Sequence, residues 1–236
     1  MLFWKHDDKY SFPLGSTLSD IFLADLKRPE DDNSVSGEIL ATLNTQSDEE
    51  KCIAVFGMMG YAFRLNRQHE KVEDPNSNFE EIFNRLLDLL KTNKHYFVFS
   101  VSWCIAWAGE CKIFPDKLRY GFVVHLIGLW VMRNEFSLQR AITWALCKIL
   151  IPSLPNKEIS EIPNLKATIQ DSFHKPANEY DKLVAIYLIA ILKENFDIGE
   201  VTEVFKLKLK RSGENLSLDN SFGLFAKSLN LNLKEP

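Results

Sequence analysis

The apolar residues of this chain recur at helical spacing over most of its length. The clearest case is Phe79, Ile82, Phe83, Leu86, Leu87, Leu89 and Leu90, which share one helical face, with Glu80, Glu81, Arg85, Asp88 and Lys91 on the other. Ser77 followed by Glu80 is a capping box that opens this helix: the serine oxygen accepts a free backbone N–H and the glutamate reaches back. Ser47 followed by Glu50 is a second such box and opens an earlier helix that runs to about Gln68. Its acids stand at the positive end of the helix dipole, with Arg64, Arg67 and His69 near the negative end. Its interior, Cys52–Phe63, is apolar nearly all round, which predicts a central helix. Gly57 and Gly60 each cost this helix ~1 kcal/mol of propensity, so a close neighbour is expected against them.

The stretch from Tyr96 to Ile151 is the densest. It reads as three hydrophobic segments, Tyr96–Ile113, Pro115–Met132 and Leu138–Ile151. Trp103, Trp107, Trp130 and Trp144 lie in it, with Cys104, Cys111 and Cys147, which marks it as the scaffold of the chain. Pro115 suits a first helical turn, where a missing N–H costs nothing. Gly121 and Gly128 share a face and again imply close packing. Ser137 is the expected cap of the third segment, whose stripe is Leu138, Ile142, Ala145, Leu146 and Ile149; Pro152 and Pro155 stop it. The apolar runs Tyr96–Gly109 and Tyr120–Met132 hold 14 and 13 residues. A membrane-spanning helix needs about 20, so no membrane span is expected.

On either side the pattern is weaker. Residues 1–15 read as an irregular arm pinned by Phe3, Trp4, Tyr10, Phe12 and Pro13. A helix capped by Ser16 or Thr17 runs to Lys27, carrying Leu18, Ile21, Phe22 and Leu26. Pro29–Ser36 reads as an acidic loop, followed by a short helix from Gly37 to about Leu43, and Val72–Asn78 as a polar loop. Residues 152–163 are the best internal break in what otherwise reads as a single domain. Beyond it, helices are expected at Asn164–Phe173, Glu179–Asn195 and near Phe222–Leu229. The segment ending at Arg211 is ambiguous: Phe205, Leu207 and Leu209 alternate like a strand, while Ile198, Val201, Phe205 and Leu209 step like a helix. Its surroundings favour helix.

The expected helix centres from residue 86 onward fall about 20 residues apart, so helix pairs recur about every 40. In that spacing, though not in any repeated motif, residues 79–229 resemble HEAT and armadillo arrays. The resemblance implies an α-solenoid that offers a concave face to a partner. An irregular multi-helix bundle gives the same spacing. The fold class is all-α on either reading.

Charge modifies this picture. The whole chain is mildly acidic, at −4, with a pI of about 5.8. That disfavours a nucleic-acid-binding domain, which usually shows as basic. The acid is concentrated at one end: residues 1–50 hold 11 acids and 4 bases, residues 101–150 hold 3 acids and 6 bases. The four cysteines form no C-x-x-C, and no histidine follows at zinc-binding spacing. Reduced thiols, a cytoplasmic protein, and neither metal nor cofactor are the expectation.

Candidate chemistry is sparse. No phosphate-binding loop, dinucleotide fingerprint or nucleophile elbow occurs. Glu110 interrupts the richest apolar stretch, and His125 sits inside an apolar helix. With Arg133 they could form an acid–base site, or else be a helix-end glutamate and a core histidine. Trp103 and Trp107 share a helical face and could form a groove or a core. Lys206, Lys208, Lys210 and Arg211 could meet an anion, or could form a solvated face. The leading reading is a non-enzymatic protein that binds another protein, as an adaptor, inhibitor or toxin-neutralising immunity protein. The acids Glu30, Asp31, Asp32, Asp48, Glu49 and Glu50 would meet a basic partner. An enzyme or ligand site at Glu110 and His125 is the alternative, and nucleic-acid binding through the C-terminal bases is the third.

Overall fold

A computed structural model of the protein describes residues 32–68, 77–132, 135–193, 196–212 and 221–229, with side chains over a slightly narrower span. The described residues are all-α, with eleven helices and no strand. They run as α1 (Asp32–Leu43), α2 (Asp48–Gln68), α3 (Ser77–Lys91), α4 (His95–Glu110), α5 (Asp116–Val131) and α6 (Phe136–Ile149). There follow α7 (Lys157–Ser160), α8 (Leu165–His174), α9 (Glu179–Ile191), α10 (Ile198–Ser212) and α11 (Ser221–Ser228). The expected arm and the helix to Lys27 lie outside the described residues, as does most of the Val72–Asn78 loop. The chain divides into two compact units, residues 1–122 and 123–236, and the division falls inside α5.

In the first unit α1 packs on α2 and α3, and α4 packs on α2 and α3. The stripe on α3 follows its spacing closely: Phe79, Ile82, Phe83, Leu86, Leu89 and Leu90 are buried and Leu87 is half-buried, while Glu80, Glu81, Arg85 and Asp88 are exposed. Phe83 meets Phe114 at 5.2 Å, and Phe114 meets Phe122 at 5.3 Å, both edge to face. Such pairs contribute about 0.5–1.5 kcal/mol beyond the area they bury. Tyr61 and Phe79 extend the same aromatic core, 5.7 Å apart.

Three local features differ from the sequence pattern. Helix α1 begins at Asp32 rather than Gly37, so part of the expected Pro29–Ser36 loop is helical. An acid and small polar residues are at home in a first turn, where N–H groups are free and the dipole is positive. Ser137 does not cap α6; the cap position is Glu135, whose side chain makes no capping bond, and Ser137 lies inside the first turn. Close packing does not account for the glycines of α5. A Cβ at Gly121 would meet Leu87 Cδ2 at 3.4 Å, an ordinary contact, and one at Gly128 would meet nothing within 4 Å.

Helix α4 ends in a Schellman motif. The Ile113 N–H donates to Ala108 O at 3.0 Å and the Lys112 N–H to Gly109 O at 3.2 Å, with Lys112 left-handed at φ 58°. The residue usually found at that position is glycine, which is why the sequence pattern runs past Glu110 to Ile113.

In the second unit α9 is central, packing against α6, α8, α10 and α11. Its residues Val184–Ile191 are all buried. Tyr187 stacks on Phe225 at 4.3 Å, and Phe205 meets Phe222 at 4.6 Å. The segment of ambiguous period is helix α10, which buries Val201 and Phe205 one turn apart. Between Ile149 and Leu165 the chain makes turns and the four-residue α7, which buries Ile159. Among the described residues no helix is long and apolar enough to cross a membrane. The two short apolar runs instead become α4 and α5, whose apolar side chains are largely buried.

Candidate functional site

The acidic corner of the first unit is built from the start of α2. Ser47 caps the helix, accepting the Glu50 N–H at 3.3 Å. That bond fixes the three acids after it at the positive end of α2, and they point to different fates. Asp48 accepts the Lys94 ammonium at 2.5 Å and the Tyr96 hydroxyl, both from the start of α4. These bonds, Lys94 first and then Tyr96, hold the Asp48 carboxyl below its ordinary range. The same contact with Asp48, followed by that with Tyr96, raises the Lys94 ammonium. Asp48 is therefore held by partners of its own chain at a partly exposed site and is not a free acid of the surface.

Glu49 and Glu50 are exposed, and so is Glu38 on α1. None of the three makes an ion pair with a described residue. By contrast Glu80, Glu81, Asp88, Asp116, Glu179 and Glu203 each hold a base. Glu158, Glu161 and Glu200 of the second unit are also exposed without an ion pair to a described residue; what sets the first three apart is the sequence around them. Between Arg28 and Lys51 stand Glu30, Asp31, Asp32, Glu38, Asp48, Glu49 and Glu50, and no lysine, arginine or histidine. Asp32 opens α1, with its side chain outside the described residues, and Glu30 and Asp31 lie outside them altogether.

The other candidates are scattered. Glu110 is the last residue of α4 and is exposed, so it is not a carboxylate held in apolar surroundings. His125 lies half-buried on α5 in the second unit, and Arg133 is outside the described residues. Trp103 and Trp107 are both half-buried on α4, with Phe99 6.0 Å from Trp103. Lys206 pairs with Glu203 at 2.7 Å, while the side chains of Lys208, Lys210 and Arg211 are outside the described set. All four cysteines are free. Burial pushes the Cys104 thiol up to about 12 and those of Cys52 and Cys111 up to about 11, which makes them weak nucleophiles and weak metal ligands. Among the described residues no three His, Cys, Asp or Glu side chains converge on a metal site.

One polar cluster of the second unit was not singled out from sequence. Asn178 caps α9, its Oδ1 accepting the N–H groups of Tyr180 and Asp181, each at 3.0 Å. Asp181, fully buried in the first turn, accepts the Trp130 indole N–H at 2.6 Å through Oδ1 and the Ala177 N–H at 2.8 Å through Oδ2. Thr143 on α6 stands 3.3 Å from Asn178 Oδ1 and donates to Gln139 O at 2.8 Å. Gln139 Oε1 and Asn178 Nδ2 are buried without a hydrogen-bond partner among the described residues. An asparagine three residues before an aspartate at a helix start is a readable capping signal. That Asp181 takes its second bond from Trp130, 51 residues away, is not readable.

No family model, curated protein or solved structure matches this chain.

Proposed function

We propose that this protein acts by binding another protein, and that the contact is electrostatic, made by the acid-rich start of the chain's first unit to a basic surface. The observation that supports the reading is the base-free run from Glu30 to Glu50, of which Glu38, Glu49 and Glu50 stand exposed without an ion pair to any described residue. Uncompensated charge of one sign steers association with the opposite sign and weakens with salt. An adaptor, an inhibitor or an immunity protein that occupies the basic face of its target would all use such a contact. Asp48 belongs to the scaffold of this surface, through Lys94 and Tyr96, rather than to its contacts.

The test is capture of partners by the full chain from its native host, beside a Glu38→Gln/Glu49→Gln/Glu50→Gln variant. The expected outcome is a specific basic protein held at low salt, released at high salt and lost with the variant. Equal retention by the variant, or no specific protein at all, overturns the proposal. Circular dichroism of the variant guards against misfolding; loss of acids from a first turn costs only about 0.3–1 kcal/mol each.

A further inference from the structure

We draw no further inference here: the strongest candidate, the buried polar cluster of Gln139, Thr143, Asn178 and Asp181 where α6 meets the start of α9, carries nothing, because both oxygens of its carboxylate are committed to Trp130 and Ala177 and nothing in the structure brings its two unpartnered amide atoms to one point or shows what would meet them.

Discussion

The bond between Trp130 and Asp181 offers the sharpest test of the second unit's interior. Both residues are fully buried, and the carboxylate takes one donor on each oxygen. Replacing Asp181 with alanine leaves the Trp130 and Ala177 N–H groups without an acceptor. An orphaned buried donor costs about 1–3 kcal/mol, so the expected loss is about 4 kcal/mol. Trp130→Phe orphans one carboxylate oxygen, at ~2 kcal/mol, and leaves space worth ~1 kcal/mol. If the two changes were independent, the pair would lose about 7 kcal/mol. In the double variant neither the indole N–H nor the carboxylate oxygen exists to be orphaned; the Ala177 N–H at ~2 kcal/mol and the space at ~1 kcal/mol remain, so the expected loss is about 3 kcal/mol. The difference, a coupling of ~4 kcal/mol, lies just above the ~0.5–3 kcal/mol usual for residues in direct contact. Urea unfolding followed by far-ultraviolet circular dichroism measures it, read on the transition that carries the second unit. Asp181→Asn keeps an acceptor oxygen and serves if the alanine variant does not fold. A coupling below about 0.5 kcal/mol would refute the reasoning, since it would mean that the bond does not hold in solution.

Three further expectations follow from geometry. Gly128→Ala should raise stability by ~1 kcal/mol, because a methyl group there meets nothing within 4 Å and alanine is the better helix former; a fall in the unfolding midpoint would show that the site is more crowded than described. The thiols should be slow to react: Cys104 is fully buried with its thiol near 12, so a disulfide reagent at mildly alkaline pH should label it only after denaturation. Rapid labelling of all four cysteines in the folded protein would contradict this. Asp48 gives a pH dependence. Its carboxyl is lowered in the folded state from an ordinary 3.8, so the stability it adds is present above that value and is lost as pH falls through the folded-state value. Asp48→Asn should therefore lower the thermal midpoint near neutrality, with the gap to the parent closing in strong acid. The effect should be small, because the side chain is 36% exposed. A gap that widens towards low pH would have the wrong sign.

Much of the fold was legible in the sequence because its signals are local. The Ser47 box places the start of α2, and the α3 stripe names the buried residues of that helix one by one. The α10 segment, equivocal by alternation, is resolved by Val201 and Phe205, which are buried four apart while Glu203 between them is exposed. What the pattern misplaced depends on backbone conformation or on distant chain. A lysine in a left-handed turn gives no sign that α4 stops at Glu110. Composition alone cannot show that Asp48 is neutralised by a lysine 46 positions away. The candidate surface was legible only as an imbalance of charge. Which of its acids reach solvent depended on the fold.

The division of the chain inside α5 has a practical bearing on how it can be dissected. Domain boundaries usually fall in exposed linkers, where a cut removes few interactions. Here a cut after Phe122 would sever a helix, taking Phe122 with one piece and Trp130 with the other. Each piece would be left with a half-helix about two turns long, too short to hold its shape alone. The first piece needs Phe122 to close its aromatic core, and the second needs Trp130 to satisfy Asp181. Fragments meant to separate the two units should therefore overlap, each carrying the whole of Asp116–Val131.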